Sequence, residues 1–415
     1  MESLKTSFED LMSLSLLSSK SLSAQTIADL CYRVNDLFWS DTFWLPDGVT
    51  WEDVSPSKGY PNARDITTYP FVIAAVLLVL KKFFVIPFIL SPLARHFGLR
   101  DRRRSQPERV PTLEILYRQH GKVLPPTMVE KVSRNLNWTT KQVENWLRRR
   151  DMSQKSSVYE KFVSVGFLAV YHICFTIFGV VMLYDEPFVW NAELCFEDFP
   201  FQELSSEIWW YYMIGLGYFW SLVFSLLFEG RTKEYLIDCI HHAVTIMLMS
   251  FSWVNNFVRI GSLVLLLHSF SDALLFPGKM FVYSKHEKVT TAFFAVFVIV
   301  WMVTRIILFP FHVLKNVMTL GYISQSLCVY DVLLSGLLLL NIRWTALILR
   351  MIFKKLCQGE LVDETDDNEN SADEFDEYEK STVEIDEYRK NSFELDEREK
   401  NTEDEAFERC DKKKS

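Results

Sequence analysis

Long apolar runs alternate with short polar segments along most of this chain, and the runs are far longer than any strand of a soluble sheet. Seven of them are long enough to cross a hydrocarbon core of ~30 Å as helices. They cover roughly 69–93, 162–184, 208–228, 236–257, 260–283, 291–311 and 327–353. The first is interrupted by Lys81 and Lys82, whose stems are long enough to snorkel. The pattern predicts an all-α, polytopic membrane helix bundle of about seven spans. A polar stretch of some fifty residues after the first span reads differently, as a compact three-helix unit: 107–119, 125–136, and a third helix opened by Thr139, with Gln142 placed to complete a capping box. The organisation expected is a lumenal N-terminal segment 1–68, a first span 69–93, a cytosolic insert 100–152, a membrane domain 158–354 and an acidic cytosolic tail 355–415.

Charge sets the orientation. Arg100, Arg102, Arg103 and Arg104 follow the first span, whereas 185–206 carries acids and no Lys or Arg, so the positive-inside rule puts the N-terminus in the lumen and the insert and tail in the cytosol. The net charge of −9 averages a basic insert, a near-neutral membrane body and an acidic tail, and so implies no acidic or basic partner for the whole. Seven cysteines (31, 174, 195, 239, 328, 357 and 410) show no metal-ligand spacing and no disulfide framework. No cleaved signal peptide is expected from the first sixty residues. The tail repeats with a ten-residue period from Ser371, an acid-rich low-complexity pattern that does not build a core. Its end, Lys412-Lys413-Lys414-Ser415, matches a dilysine retrieval signal.

Against this apolar background the candidate chemistry is easy to find. His241 and His242 lie side by side within one run, and ionisable groups at bilayer depth face a cavity, a partner or a substrate. In the next run His268 and Asp272 are four residues apart on one helical face, with Lys279 two turns further along. Neighbouring residues on a helix point about 100° apart, so one of the 241/242 pair is expected to react and the other to support it. Sequence leaves open which.

With those residues in view the chain resembles the ceramide synthases, the TLC-domain longevity-assurance family whose members carry a truncated homeobox-like insert. The resemblance runs from Phe38 to Arg350. It is most specific between His241 and His268, continuing through Ser271, Asp272 and Lys279, with a second block at Ile208-Trp209-Trp210-Tyr211-Tyr212-Met213-Ile214. The insert's third helix, with Trp146 followed by Leu147, Arg148, Arg149 and Arg150, resembles a homeodomain recognition helix, but Arg149 stands where a homeodomain's adenine-reading asparagine would be. DNA binding is therefore not expected. A basic patch tethered to a bilayer fits anionic membrane lipids or the phosphates of an acyl-CoA.

The resemblance implies a multi-pass enzyme of the endoplasmic reticulum membrane. Its reaction is the transfer of an acyl group from a fatty acyl-CoA co-substrate to a sphingoid long-chain base, giving (dihydro)ceramide, with no other cofactor and no metal, by a homo- or heterodimer with family members. The site residues it implies are His241, His242, His268 and Asp272. Amide formation from a thioester needs a neutral amine, and histidine is the natural base to free one from its ammonium. An acyl-imidazole intermediate on one histidine is the alternative route, and Asp272 is expected to orient an imidazole. Three family carboxylates are replaced, by Gly215, Ser269 and Phe276, and 268, 269, 272, 276 and 279 are expected to share one wall. Asp238, three residues before His241, is a candidate replacement acid. These departures keep a second class open, a weakened paralogue that binds lipid or dimerises with active relatives and modulates them.

Overall fold

The computed structural model describes residues 32–358 apart from short gaps at 34–35, 37, 100, 102–106, 155, 229–234 and 320–323. The cluster Arg102–Arg104, the acidic repeats and the dilysine end lie outside the described residues. Every extended element among those described is helical. A helix from Ala63 to His96, here α1, leads into three short helices: α2 (Pro111–His120), α3 (Pro126–Leu136) and α4 (Thr140–Gln154). The body follows as α5 (Val158–Leu183), α6 (Ser206–Phe228), α7 (Tyr235–Val254), α8 (Val258–Tyr283), α9 (Glu287–Thr319) and α10 (Leu327–Gln358).

By length and hydropathy six helices among the described residues are able to cross a membrane, as a polytopic helical bundle requires. The expected segment 208–228 is a helix as well, α6. Tyr211, Tyr212, Met213 and Leu216 are fully buried, and the Trp209 indole donates to Asp65 Oδ2 at 2.8 Å. Helices α1 and α6 approach closely because Gly217 has no side chain: a Cβ there would meet Ile73 Cγ2 at 2.6 Å.

The insert has its own core of Leu113, Leu124, Val129, Val132, Val143, Trp146 and Leu147. Its first helix starts at Pro111, four residues later than the pattern suggested, since the Trp146 indole donates at 2.7 Å to the Glu108 carbonyl and keeps that residue out of the helix. The reciprocal cap on α4 forms as expected, with Thr139 N donating to Gln142 Oε1 at 2.7 Å and Gln142 N to Thr139 Oγ1 at 3.2 Å. Arg150 is bound bidentately by Glu114 at 2.8 Å on both arms, and the guanidinium holds the Glu114 carboxyl below its ordinary range. One of the basic residues in the homeobox-like run is thus a structural tie.

Two helices change their winding where the polar groups lie. Helix α1 is π-helical from Lys81 to Leu90 and α9 from Met302 to Leu314. Such wide turns are rare and concentrate at functional sites. On the side away from the insert, the segment containing Trp44 is tied to the start of α10: Ser326 N donates to the Phe43 carbonyl at 2.9 Å, and both Ser324 and Ser326 hydroxyls donate to the Trp44 carbonyl at 3.1 Å.

Candidate active site

One cavity of about 530 Å³ runs through the body, walled by α5, α6, α7, α8, α9 and α10. Most of its lining is Leu, Val, Met, Phe and Trp; the polar exceptions include all four expected site residues, His241, His242, His268 and Asp272. Asp238 and Lys279 line it too.

Both members of the α7 pair reach the cavity. Their ring centroids are 5.7 Å apart, Phe219 lies 6.3 Å from one and 6.1 Å from the other, and Trp344 meets His241 edge-on at 5.2 Å. Both rings thus line one cavity, although neighbouring side chains on a helix diverge by about 100°. Nδ1 of each is buried without a hydrogen-bond partner.

His268, across on α8, has a defined tautomer. Its Nδ1 lies 2.8 Å from the Val264 carbonyl, which can only accept, so Nδ1 carries the proton and Nε2 the lone pair. That Nε2 is buried without a partner. The ring packs edge-on against Phe309 at 5.2 Å.

Asp272 does not orient an imidazole. Its Oδ1 accepts from Arg305 Nη2 at 2.7 Å and lies 3.3 Å from the Ser271 hydroxyl, whose single proton also has the His268 carbonyl at 3.0 Å. Arg305, on the π-helical stretch of α9, is only 3% exposed. It also donates to Ser271 Oγ at 3.0 Å, to the His268 carbonyl at 3.0 Å and to Asn341 Oδ1 at 3.4 Å, and its guanidinium lies 4.8 Å over the Trp301 ring. Sequence reasoning passed over Arg305, although a lone arginine in an apolar run carries the same signal that singled out the histidines. It also missed His172 on α5, a buried cavity residue whose Nε2 is 3.0 Å from the Tyr218 hydroxyl.

The wall expected from 268, 269, 272, 276 and 279 is divided. Four of these line the cavity, but Ser269 does not: it is 3% exposed, its hydroxyl donates back to the Leu266 carbonyl at 3.0 Å, and its own carbonyl accepts from Thr176 on α5 at 3.1 Å. Gly215 is likewise packed away, since a Cβ there would sit 3.2 Å from Phe175 and 3.4 Å from Leu265 and Met249. Of the three replaced carboxylates only Phe276 faces the cavity, stacked on His172 at 5.1 Å. Among the described residues no three His, Cys, Asp or Glu side chains gather as a metal site would require.

Comparison with known sequences bears on what this cavity serves. The TLC domain family matches residues 161–350, which hold every polar cavity residue named above. Human ceramide synthase 5 is 33% identical over 342 residues, covering 80% of this chain and 87% of its own length. The chain belongs to the ceramide synthase family. Human ceramide synthase 4 is 33% identical over 354 residues, 81% of this chain and 89% of that one, and mouse ceramide synthase 3 is 31% identical over 337 residues, with coverage of 80% and 88%. These alignments are far longer than the TLC match, so the relation to ceramide synthases takes in more of the chain than the cavity-bearing helices.

Proposed function

We propose that this ceramide synthase family member is an acyl-CoA-dependent sphingoid-base N-acyltransferase of the endoplasmic reticulum membrane, forming (dihydro)ceramide from a fatty acyl-CoA and a long-chain base. One observation carries the reading: four imidazoles from three helices, His172, His241, His242 and His268, line a single, mostly apolar cavity within a bundle of membrane-length helices. Apolar walls accept hydrocarbon chains, and a few convergent polar groups fix where the reacting ends lie. A neutral imidazole takes a proton from the base's ammonium; the freed amine attacks the thioester carbonyl, C–N forms as C–S breaks, and the departing CoA thiolate takes the second proton. General-base assistance of this kind contributes about 10²–10⁴ in rate. Attack by His241 or His242 on the thioester, giving an acyl-imidazole that the amine then opens, uses the same groups in two steps. Acyl-CoA is the co-substrate, and no further cofactor is invoked.

The test is acylation by microsomes from cells that lack other ceramide synthases and express this chain, with a panel of acyl-CoAs. Turnover above vector background supports the enzyme; background turnover with all of them refutes it. Phe276, standing on the cavity wall against His172 in place of a family carboxylate, favours the second reading, a lipid-binding or dimerising modulator of active relatives. That reading predicts background turnover alone and altered turnover when a relative is co-expressed. The orientation proposed with either reading has a lumenal N-terminus and a cytosolic insert, so the sequon Asn137-Trp138-Thr139 stays unglycosylated. An endoglycosidase-sensitive mass shift abolished by Asn137→Gln would overturn it.

A further inference from the structure

Asp272 and Arg305 are paired in an unusual way. In the insert, Glu114 and Arg150 show the ordinary arrangement, both carboxylate oxygens occupied by one guanidinium at 2.8 Å. Asp272 instead meets Arg305 and the Ser271 hydroxyl with the same oxygen, Oδ1, the single Ser271 proton being shared with the nearer His268 carbonyl at 3.0 Å. The other Arg305 bonds run to Ser271 from Nε, to Asn341 from Nη1 and to the His268 carbonyl from Nη2, and none of them is to the second carboxylate oxygen. Asp272 Oδ2 is left over, on a side chain 23% exposed that lines the cavity. One turn earlier on the same face of α8 is His268, whose Nδ1 is spent on Val264 and whose lone-pair nitrogen, Nε2, has no partner.

Side chains four residues apart on a helix are neighbours on one face, with their Cβ atoms about 5–6 Å apart. A group between them with two N–H donors, each reaching ~2.8 Å, satisfies both. A primary ammonium has three such protons; a hydroxyl has one. We infer that Asp272 Oδ2 and His268 Nε2 together form the seat for the ammonium of the long-chain base, with Arg305 as the positioning residue that holds the carboxylate by its other oxygen. The inference rests on the N-acyltransferase reading for its substrate. Arg305 offsets the cost of burying a carboxylate at this depth, and its one-sided grip keeps the second oxygen for the ligand.

The seat also gives the proton a path. In R–NH3⁺ one N–H points at Asp272 and one at His268; Nε2 takes that proton, and the nitrogen lone pair so released forms the C–N bond to the acyl carbonyl. The C–S bond breaks with its electron pair on sulfur. CoA thiolate leaves with the proton lost as the amide forms, and His268 returns its own proton to solvent. One ammonium and one thioester give one amide, one thiol and one proton.

The test uses full-length protein in detergent with radiolabelled octadecylamine, a chain with the ammonium and no other headgroup. Unlabelled octadecylamine is expected to displace the label, while octadecanol at the same concentrations leaves it bound. Asp272→Asn is expected to weaken octadecylamine binding at least tenfold and to raise KM for the long-chain base to a similar degree, with KM for acyl-CoA within twofold of wild type and partial rescue by Asp272→Glu. Retained acyl-CoA binding by the variant shows that it has folded. Displacement by octadecanol as effective as by octadecylamine overturns the inference, as does wild-type amine binding by folded Asp272→Asn. If the variant does not accumulate, the amine-against-alcohol competition on unmodified protein decides by itself. Binding is read without turnover, so selective, Asp272-dependent amine binding in a protein that makes no product would refute the enzyme and leave the seat standing.

Discussion

Arg305→Met gives the sharpest stability test of the polar cluster. The substitution keeps most of the apolar stem against Trp301 but removes four hydrogen bonds and the positive partner of Asp272. Arg305 is 3% and Asp272 23% exposed, so little water is at hand to take over. Breaking a buried ion pair from one side costs about 3–5 kcal/mol, chiefly because the surviving charge is left uncompensated. That origin makes a second expectation. Adding Asp272→Asn to Arg305→Met removes the stranded charge, so the double variant should recover at least about 2 kcal/mol of the loss despite carrying one more substitution. Asp272→Asn alone strands the Arg305 guanidinium, the more deeply buried of the two charges, and should cost about 3–5 kcal/mol as well. The assay is reversible unfolding in mixed micelles against a rising mole fraction of SDS, followed by tryptophan fluorescence, for wild type, both single variants and the double. Independent sites add within about 0.5 kcal/mol. If the two single costs simply add in the double variant, the pair does not hold the cluster together and the reasoning is wrong.

Three further outcomes follow from the packing around the cavity. His241→Ala and His242→Ala should each remove acyltransfer at unchanged expression, since both rings line the cavity; full activity in either, measured in microsomes, would exclude that ring from the chemistry. Ser269→Asp, which restores the family carboxylate, should lower the yield of folded protein instead of raising activity, because residue 269 is packed toward α5 and a carboxylate there is buried without a cation; a gain in turnover would show that the position reaches the cavity after all. Gly261→Ala drives a Cβ into the Tyr212 hydroxyl, which is itself bonded to Ser252, so a loss of about 1–3 kcal/mol is expected in the same SDS titration, partly relieved by Tyr212→Phe.

The sequence by itself determined the helices, the membrane body, the three-helix insert and the identity of its cap on Thr139. These are local properties: apolar run length, a capping pair three residues apart and the spacing of an insert's core are all written within a few turns of chain. It also picked out His241, His242, His268 and Asp272, because an ionisable side chain in an apolar run is conspicuous wherever the fold puts it. Direction and partnership were another matter. A helical wheel placed Ser269 beside His268, yet the packing of α8 against α5 turned it from the cavity, and the same packing closed the space beside Gly215. The wheel likewise suggested an imidazole for Asp272, but its partner came from Arg305, 33 residues away on a π-helical stretch. Which oxygen that arginine covers, and which it leaves to the cavity, depends on Ser271, Asn341 and the His268 carbonyl arriving from two helices at once, and no local pattern encodes a meeting of that kind.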